Sequence, residues 1–309
     1  MWVTSLVQWL RGRRARVRQQ PLTTLEDLAA RLVQRDPLWK VMVILGAGVS
    51  TAAGIPDFRS PETGLYARLE AAGRSDVSRV FDIDYFREHP QAFYLLAHEL
   101  LRETGGRLEP TLAHWFVRCL ADHGLLLRCY TQNVDGLERI AGVPESLLVE
   151  AHGTVQHAHC SASGCGATYD AQRLLQQVVS GEAVSNPPRC PRCRVGYVKP
   201  KVVFFGEQLP WRFFRCLTTD VWRTDLCLIL GTSLTVAPVR WIPDRLSRRT
   251  PRVLLNRTIS GSIGRWPLDS WIESDVQKAV ERLVEICGWR EEINALAGVK
   301  REARNAVSL

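Results

Sequence analysis

The chain reads as an α/β protein, with a parallel sheet covered by helices on both faces and a smaller module set into it. Three observations carry this. Apolar runs of strand length recur at 41–45, 125–130, 147–150, 202–205, 226–230 and 252–256. Helical patterns at about 91–104, 110–123, 211–219 and 275–287 separate several of them, which is the alternation that builds a parallel, Rossmann-like sheet. Two stretches, about 60–109 and 154–199, break the alternation, and the second holds four cysteines in two close pairs.

The first strand, 41–45, is apolar throughout, as in a strand buried on both faces. It runs into Gly46-Ala47-Gly48, small residues that let the backbone turn tightly and come close to a ligand. A helix beginning there would offer amides to a pyrophosphate. Position 51 is Thr, so the full G-x-G-x-x-G fingerprint is missing, and the glycines alone fit a plain turn as well as a nucleotide site. Gly54 to Arg59 then sets a rigid turn, an acid, a ring and a cation side by side.

Ligands of parallel sheets gather at the carboxyl ends of the strands. Unusual sequences start at most of these ends: Gly46, Thr131, Gly153, Gly206, Gly231 and Asn256. Gln132, Asn133 and Asp135 offer amides and a carboxylate suited to sugar hydroxyls or a carboxamide. His152 follows the next strand, where a neutral imidazole can take a proton from a hydroxyl.

The four cysteines are Cys160 and Cys165, then Cys190 and Cys193. Two such pairs converge on one tetrahedral Zn²⁺ as four thiolates, leaving no open position, so the metal is structural. His157 and His159 lie near enough in sequence to substitute. The other five cysteines sit in mostly apolar stretches and read as reduced core residues.

Composition bounds the partners. The 309 residues carry a net charge of +8, with 46% apolar and 23% charged residues. Arg11, Arg13, Arg14, Arg16 and Arg18 account for five of those charges, which leaves +3 for the body and argues against nucleic-acid binding there. No apolar run is long enough to span a membrane. The first twenty residues are amphipathic, Arg-rich and free of acid, the composition of a mitochondrial presequence, the alternatives being a disordered basic arm or a helix lying on a membrane surface, with a cytoplasmic or nuclear location.

In order along the chain, Gly46-Ala47-Gly48 with Gly54 to Arg59, Thr131 to Asp135, Glu150 to Gly153, the four cysteines, Lys199 to Glu207, Gly231 to Leu234 and Leu255 to Arg257 resemble the sirtuin family, the NAD-dependent protein lysine deacylases. The resemblance runs from about Thr24 to Trp289, and the leader with 125–153 looks most like the mitochondrial deacetylase branch. It implies a basic leader over 1–22, a catalytic domain over 23–290 and a tail over 291–309. Within the domain it implies a large part at about 23–60, 110–153 and 200–290, and a small module at 61–109 and 154–199.

The same resemblance implies the roles. Gly46, Ala47, Gly48 and Thr51 would line the NAD phosphates, with Asp57, Phe58 and Arg59 over the nicotinamide-side ribose. Gln132 and Asn133 would bind that ribose and Asp135 the carboxamide; Gly231, Thr232, Ser233, Asn256, Arg257 and Val276 would hold the adenosine half. Val203, Phe204, Phe205, Gly206 and Glu207 would pair with the acyl-lysine peptide as an added strand, one of the two phenylalanines facing the core and one the substrate channel. His152 would be the general base, with Asn133 and Asp135 beside it, and products would be free lysine, nicotinamide and O-acyl-ADP-ribose. No arginine stands three residues after Tyr94, so a channel for acetyl or other neutral acyl groups is expected rather than an acidic one. The departures from the family pattern are Val134, the wide first cysteine pair and Lys201. A protein mono-ADP-ribosyltransferase shares the first step and is the alternative; a dehydrogenase lacks its fingerprint.

Overall fold

A computed structural model describes residues 20–34, 39–58, 60–62, 64–71, 77–103 and 108–307. The leader up to Gln19, Arg59 and the last two residues lie outside them.

Six strands form one sheet: β1 (Val41–Leu45), β2 (Leu126–Thr131), β3 (Leu148–Glu150), β7 (Leu226–Leu230), β8 (Arg252–Asn256) and β9 (Asp269–Glu273). Every pairing in it is parallel. The order is β3-β2-β1-β7-β8-β9, so the chain works outward from β1 in one direction and then outward from β7 in the other. That is the doubly wound Rossmann order, and its reversal between β1 and β7 is where such sheets bind ligands. β1 and β7 are buried at all five positions. One face packs under the helices Leu25–Val33, Leu112–Asp122 and Val276–Cys287, and the other under Trp211–Arg223. Thr24 opens the helix Leu25–Val33 with a reciprocal capping box to Asp27.

The second sheet is antiparallel, in the order β5 (Thr168–Tyr169), β4 (Gly153–Cys160) and β6 (Val198–Val202). It shares a core with the helices Ile83–Glu88, Pro90–Glu103 and Ala171–Val179, so the two stretches that break the alternation meet in one module.

Four expectations need correction. The run at 202–205 is not a strand of the parallel sheet: β6 ends at Val202 and pairs with β4. Lys199 and Lys201 hide β6 in the sequence, although Lys199 is fully buried. β9 shows no apolar run because it is an edge strand, anchored by the buried Arg252 guanidinium 2.6 Å from Asp269. No α-helix follows β1; two three-residue 3₁₀ turns, Ala47–Val49 and Thr51–Ala53, do. The tail set apart at 291–309 begins in a helix, Arg290–Val307, whose Ile293 is buried in the main core.

Candidate active site and metal centre

A cavity of about 830 Å³ opens at the carboxyl ends of β1 and β7, where the winding reverses. That volume suits a large polar ligand. Gly46, Ala47, Gly48, Thr51, Asp57 and Phe58 line it from the loop after β1, and Gln132 and Asn133 from the loop after β2. Gly231, Thr232 and Ser233 line it after β7, Asn256 and Arg257 after β8, and Val276 at the start of the following helix. His152 and Val203, Phe204, Phe205, Gly206 and Glu207 complete the wall.

The glycines serve the walls before any ligand. A Cβ on Gly46 would stand 2.4 Å from Thr232 Cβ, and one on Gly48 2.9 Å from the Gly231 carbonyl oxygen. The loops after β1 and β7 therefore interlock backbone to backbone, with the Gly48 amide donating to the Gly231 carbonyl at 2.9 Å. The amides of Gly46, Val49, Ser50, Ala53 and Gly54 are likewise spent on carbonyls, whereas those of Ala47 and Thr51, on the cavity wall, are not among the amides so bonded.

His152 is the most informative group. Its Nδ1 lies 2.9 Å from the Gln132 carbonyl oxygen, which can only accept, so Nδ1 carries the ring proton. Nε2 is left with its lone pair and no hydrogen-bond partner among the described residues. Burial lowers the imidazole pKa, the Gln132 carbonyl opposing it less strongly, so the ring is neutral at physiological pH. Gln132 is itself fixed, its side-chain amide donating to Thr232 at 2.8 Å and to the Leu45 carbonyl. Asn133 is buried and donates to the Gly46 carbonyl at 3.1 Å and to Ser50 at 3.2 Å.

Asp135 does not join the cavity wall. Its carboxylate turns to the Ser50 hydroxyl at 2.8 Å and the Leu137 amide at 2.9 Å, beneath Asn133. Arg257 reaches Asp275, which also caps the helix that begins at Val276. Asp57 holds the amide and hydroxyl of Ser60. Ser60, Tyr66, Phe81, Val236, Thr258 and Asp275 also line the cavity and were not singled out in the sequence. Asp275 alone had a signal, an acid just ahead of an apolar periodic run.

Phe204 and Phe205 divide as alternation suggests, being 1% and 49% exposed. The Phe204 ring packs against Phe81, Phe86 and Phe93. The amide and carbonyl of Phe205 are both engaged, with Phe81 and Ile83, which leaves less free edge for an added strand than the five-residue run suggested. Glu207 accepts from the buried Lys199 ammonium at 2.9 Å and from the Phe204 amide at 2.9 Å.

The four cysteine sulfurs converge within 4.8 Å of one another. Cys160 and Cys193 are 3.6 Å apart, and Cys165 and Cys190 3.9 Å. A disulfide needs about 2.05 Å, whereas four thiolates about 2.3 Å from one Zn²⁺ stand roughly 3.8 Å apart. Amides of Ala162 and Gly196 point at Cys160 and Cys193, and the Gly196 amide leads in drawing the Cys193 thiol down to about 6. The donor set fits a closed structural zinc centre, and neither His157 nor His159 belongs to it.

The comparisons decide the lineage. The Sir2 family profile matches residues 46–238, a span that carries most of the cavity wall and all four clustered cysteines. The chain belongs to the Sir2 family. It is 41% identical over 272 residues to the NAD-dependent protein deacetylase hst2 of Schizosaccharomyces pombe, covering 88% of this chain and 79% of that one. It is 42% identical to the NAD-dependent protein deacetylase sirtuin-3 of Mus musculus over 87% of this chain and 78% of that one. The NAD-dependent protein deacetylase sirtuin-2 of Danio rerio is 40% identical over 89% and 75%. These identities lie too close together to single out one branch of the Sir2 family.

Proposed function

We propose that the chain removes acetyl, or other neutral acyl, groups from protein lysines at the expense of NAD, releasing nicotinamide and O-acyl-ADP-ribose. NAD supplies a ribosyl carbon that becomes electrophilic as nicotinamide leaves, and a neighbouring hydroxyl that receives the acyl group. The observation that carries the reading is the single tautomer of His152, a residue of the cavity wall at the switch point whose Nε2 keeps an unshared lone pair. A neutral imidazole placed so takes the proton from that hydroxyl as general base.

The other residues bind, orient and exclude water. Asn133, tied to Gly46 and Ser50, presents a fixed amide face to the ribose. Phe58, edge-on to Phe81 at 5.7 Å, covers the reacting end against water. Asn256, Arg257 and Val276 take the adenosine half at the far end of the cavity. Val203 to Glu207 form the shelf for the acyl-lysine backbone, and Lys199 with Glu207 keeps that shelf in place. The four cysteines hold Zn²⁺ as a structural ion. The Arg-rich, acid-free composition of the first twenty residues supports delivery to the mitochondrial matrix, tested by the site to which a fluorescent fusion of that segment travels.

One assay tests the central reading. An acetyl-lysine peptide is incubated with and without NAD and followed by mass. Loss of the acetyl mass with appearance of O-acetyl-ADP-ribose supports deacylation. A peptide that keeps its acetyl group while another protein gains an ADP-ribosyl mass sinks it.

A further inference from the structure

Beneath Asn133 lies a polar cluster that the proposed reaction does not use. His114 on helix Leu112–Asp122, Asp135 after β2 and Glu138 on helix Leu137–Ile140 each bring a ligating atom within 4.8 Å of the other two. His114 and Glu138 are fully buried. Both Glu138 carboxyl oxygens and His114 Nε2 have no hydrogen-bond partner among the described residues. The Thr111 amide donates to His114 Nδ1 at 3.1 Å, so in the neutral ring Nε2 carries the proton. Burial pushes His114 down to about 3, so the ring is neutral and brings no compensating positive charge.

Two carboxyl groups this close, away from water, do not both ionise. Burial raises the Asp135 pKa, but the Leu137 amide and the Ser50 hydroxyl both donate to it and favour its anion over that of Glu138. Neither Glu138 oxygen has a donor in full hydrogen-bond geometry, and the weaker pull of the Thr131 hydroxyl and of its own backbone amide is outweighed by burial and by the Asp135 charge. The groups facing Glu138 are Asp135, His114, the buried thiol of Cys129 on β2 and Glu150 on β3, the last held by Arg139. None of them is a cation that would draw the proton off.

We propose that Glu138 is a positioning residue that is protonated at neutral pH, whose buried acid proton keeps Asp135 the one anion of the cluster and, through Ser50, sets the side chain of Asn133 in the cavity. The links are continuous: Ser50 donates to Asp135 at 2.8 Å, and Asn133 donates to Ser50 at 3.2 Å. Burial, then the Asp135 charge, pushes Glu138 up to about 8. The kinetic consequence rests on the deacylase reading; the place of the proton does not.

The test uses the zinc-loaded full chain and two readouts. Infrared difference spectra at pH 7 compare the native chain with Glu138→Gln. A protonated-carboxyl band is expected in the native chain, fading as pH passes about 8 and missing from the variant. NAD-dependent nicotinamide release from an acetyl-lysine peptide falls over the same range in the native chain. Glutamine is neutral at every pH, so Glu138→Gln stays within about threefold of the native rate at pH 7 and loses that alkaline fall, whereas Glu138→Ala loses about tenfold or more. A band that persists in Glu138→Gln, or an unchanged alkaline fall, overturns the assignment. So does a second equivalent of metal bound by the native chain and lost in Glu138→Gln, which would make the cluster a cation site. A native chain that releases no nicotinamide defeats the deacylase reading, and the infrared band still decides where the proton sits.

Discussion

The ring of His152 is locked to the carbonyl of Gln132 at 2.9 Å, and Gln132 is in turn held by Thr232 at 2.8 Å. The loops after β2 and β7 thus jointly set the tautomer of a side chain at the end of β3. His152→Ala keeps the fold and NAD affinity but lowers turnover by about 10²–10⁴-fold, the range for loss of a general base. Single-turnover deacylation together with NAD titration by calorimetry checks both halves. A variant with native turnover would remove His152 from the reaction.

The pH profile follows from the same ring. Burial lowers its pKa below the ordinary 6.5, and only the neutral ring can take a proton. Activity therefore holds as pH drops to 6.5 and fails only below it. An acid limb centred above 6.5 in kcat/KM contradicts the buried, neutral assignment.

Cys193→Ser removes one of four converging sulfurs. The expected result is loss of bound zinc, melting of the module around β4, β5 and β6, and a fall in soluble yield, because structural metal sites contribute their binding energy to folding. Metal content per chain and near-ultraviolet circular dichroism report it. Native metal content in the variant would point to another ligand set.

Gly46→Ala tests the interlocked loops. The added methyl meets Thr232 Cβ at 2.4 Å and the Gly231 carbonyl oxygen at 2.7 Å, neither of which is a flexible chain end. A loss of about 1–3 kcal/mol in stability is expected from such overpacking. Urea unfolding measures it; an unchanged midpoint would mean the loops separate freely.

Glu207→Ala strips the carboxylate from a fully buried ammonium, Lys199, and leaves it the Val202 and Pro200 carbonyls. The cost is about 3–5 kcal/mol, and replacing both partners by apolar residues costs less than the single change. A double-mutant cycle on Lys199→Met and Glu207→Leu in urea reads the coupling. Simple additivity would show that the pair is not a unit.

Much of this site was legible because chemistry and topology coincide. The apolar runs β1, β7 and β8 announced themselves, and the loops after β1, β2, β7 and β8 bring their polar residues to one cavity as the parallel order requires. The four sulfurs converge as their spacing implied. What stayed hidden was decided by tertiary partners. β6 looks polar because its Lys199 is neutralised by a carboxylate eight residues on. β9 looks like a loop because an edge strand needs no apolar run. Gly46 and Gly48 suggested ligand approach, and the sequence did not show that they also have to admit the loop after β7. Asp135 suggested a cavity residue, yet it bonds downward to Ser50.

β4 begins one residue after His152, and β6 ends one residue before Val203, with the two strands paired across Gly153 and Val202. The module is thus joined to the main body on this side by two struts whose roots are the proposed base and the proposed peptide shelf. Any rocking of the module would be geared directly into those two groups, displacing them together. Admission of the long cosubstrate and alignment of the acyl chain would then be a single mechanical event, and a cross-link that stopped the rocking would stall both at once.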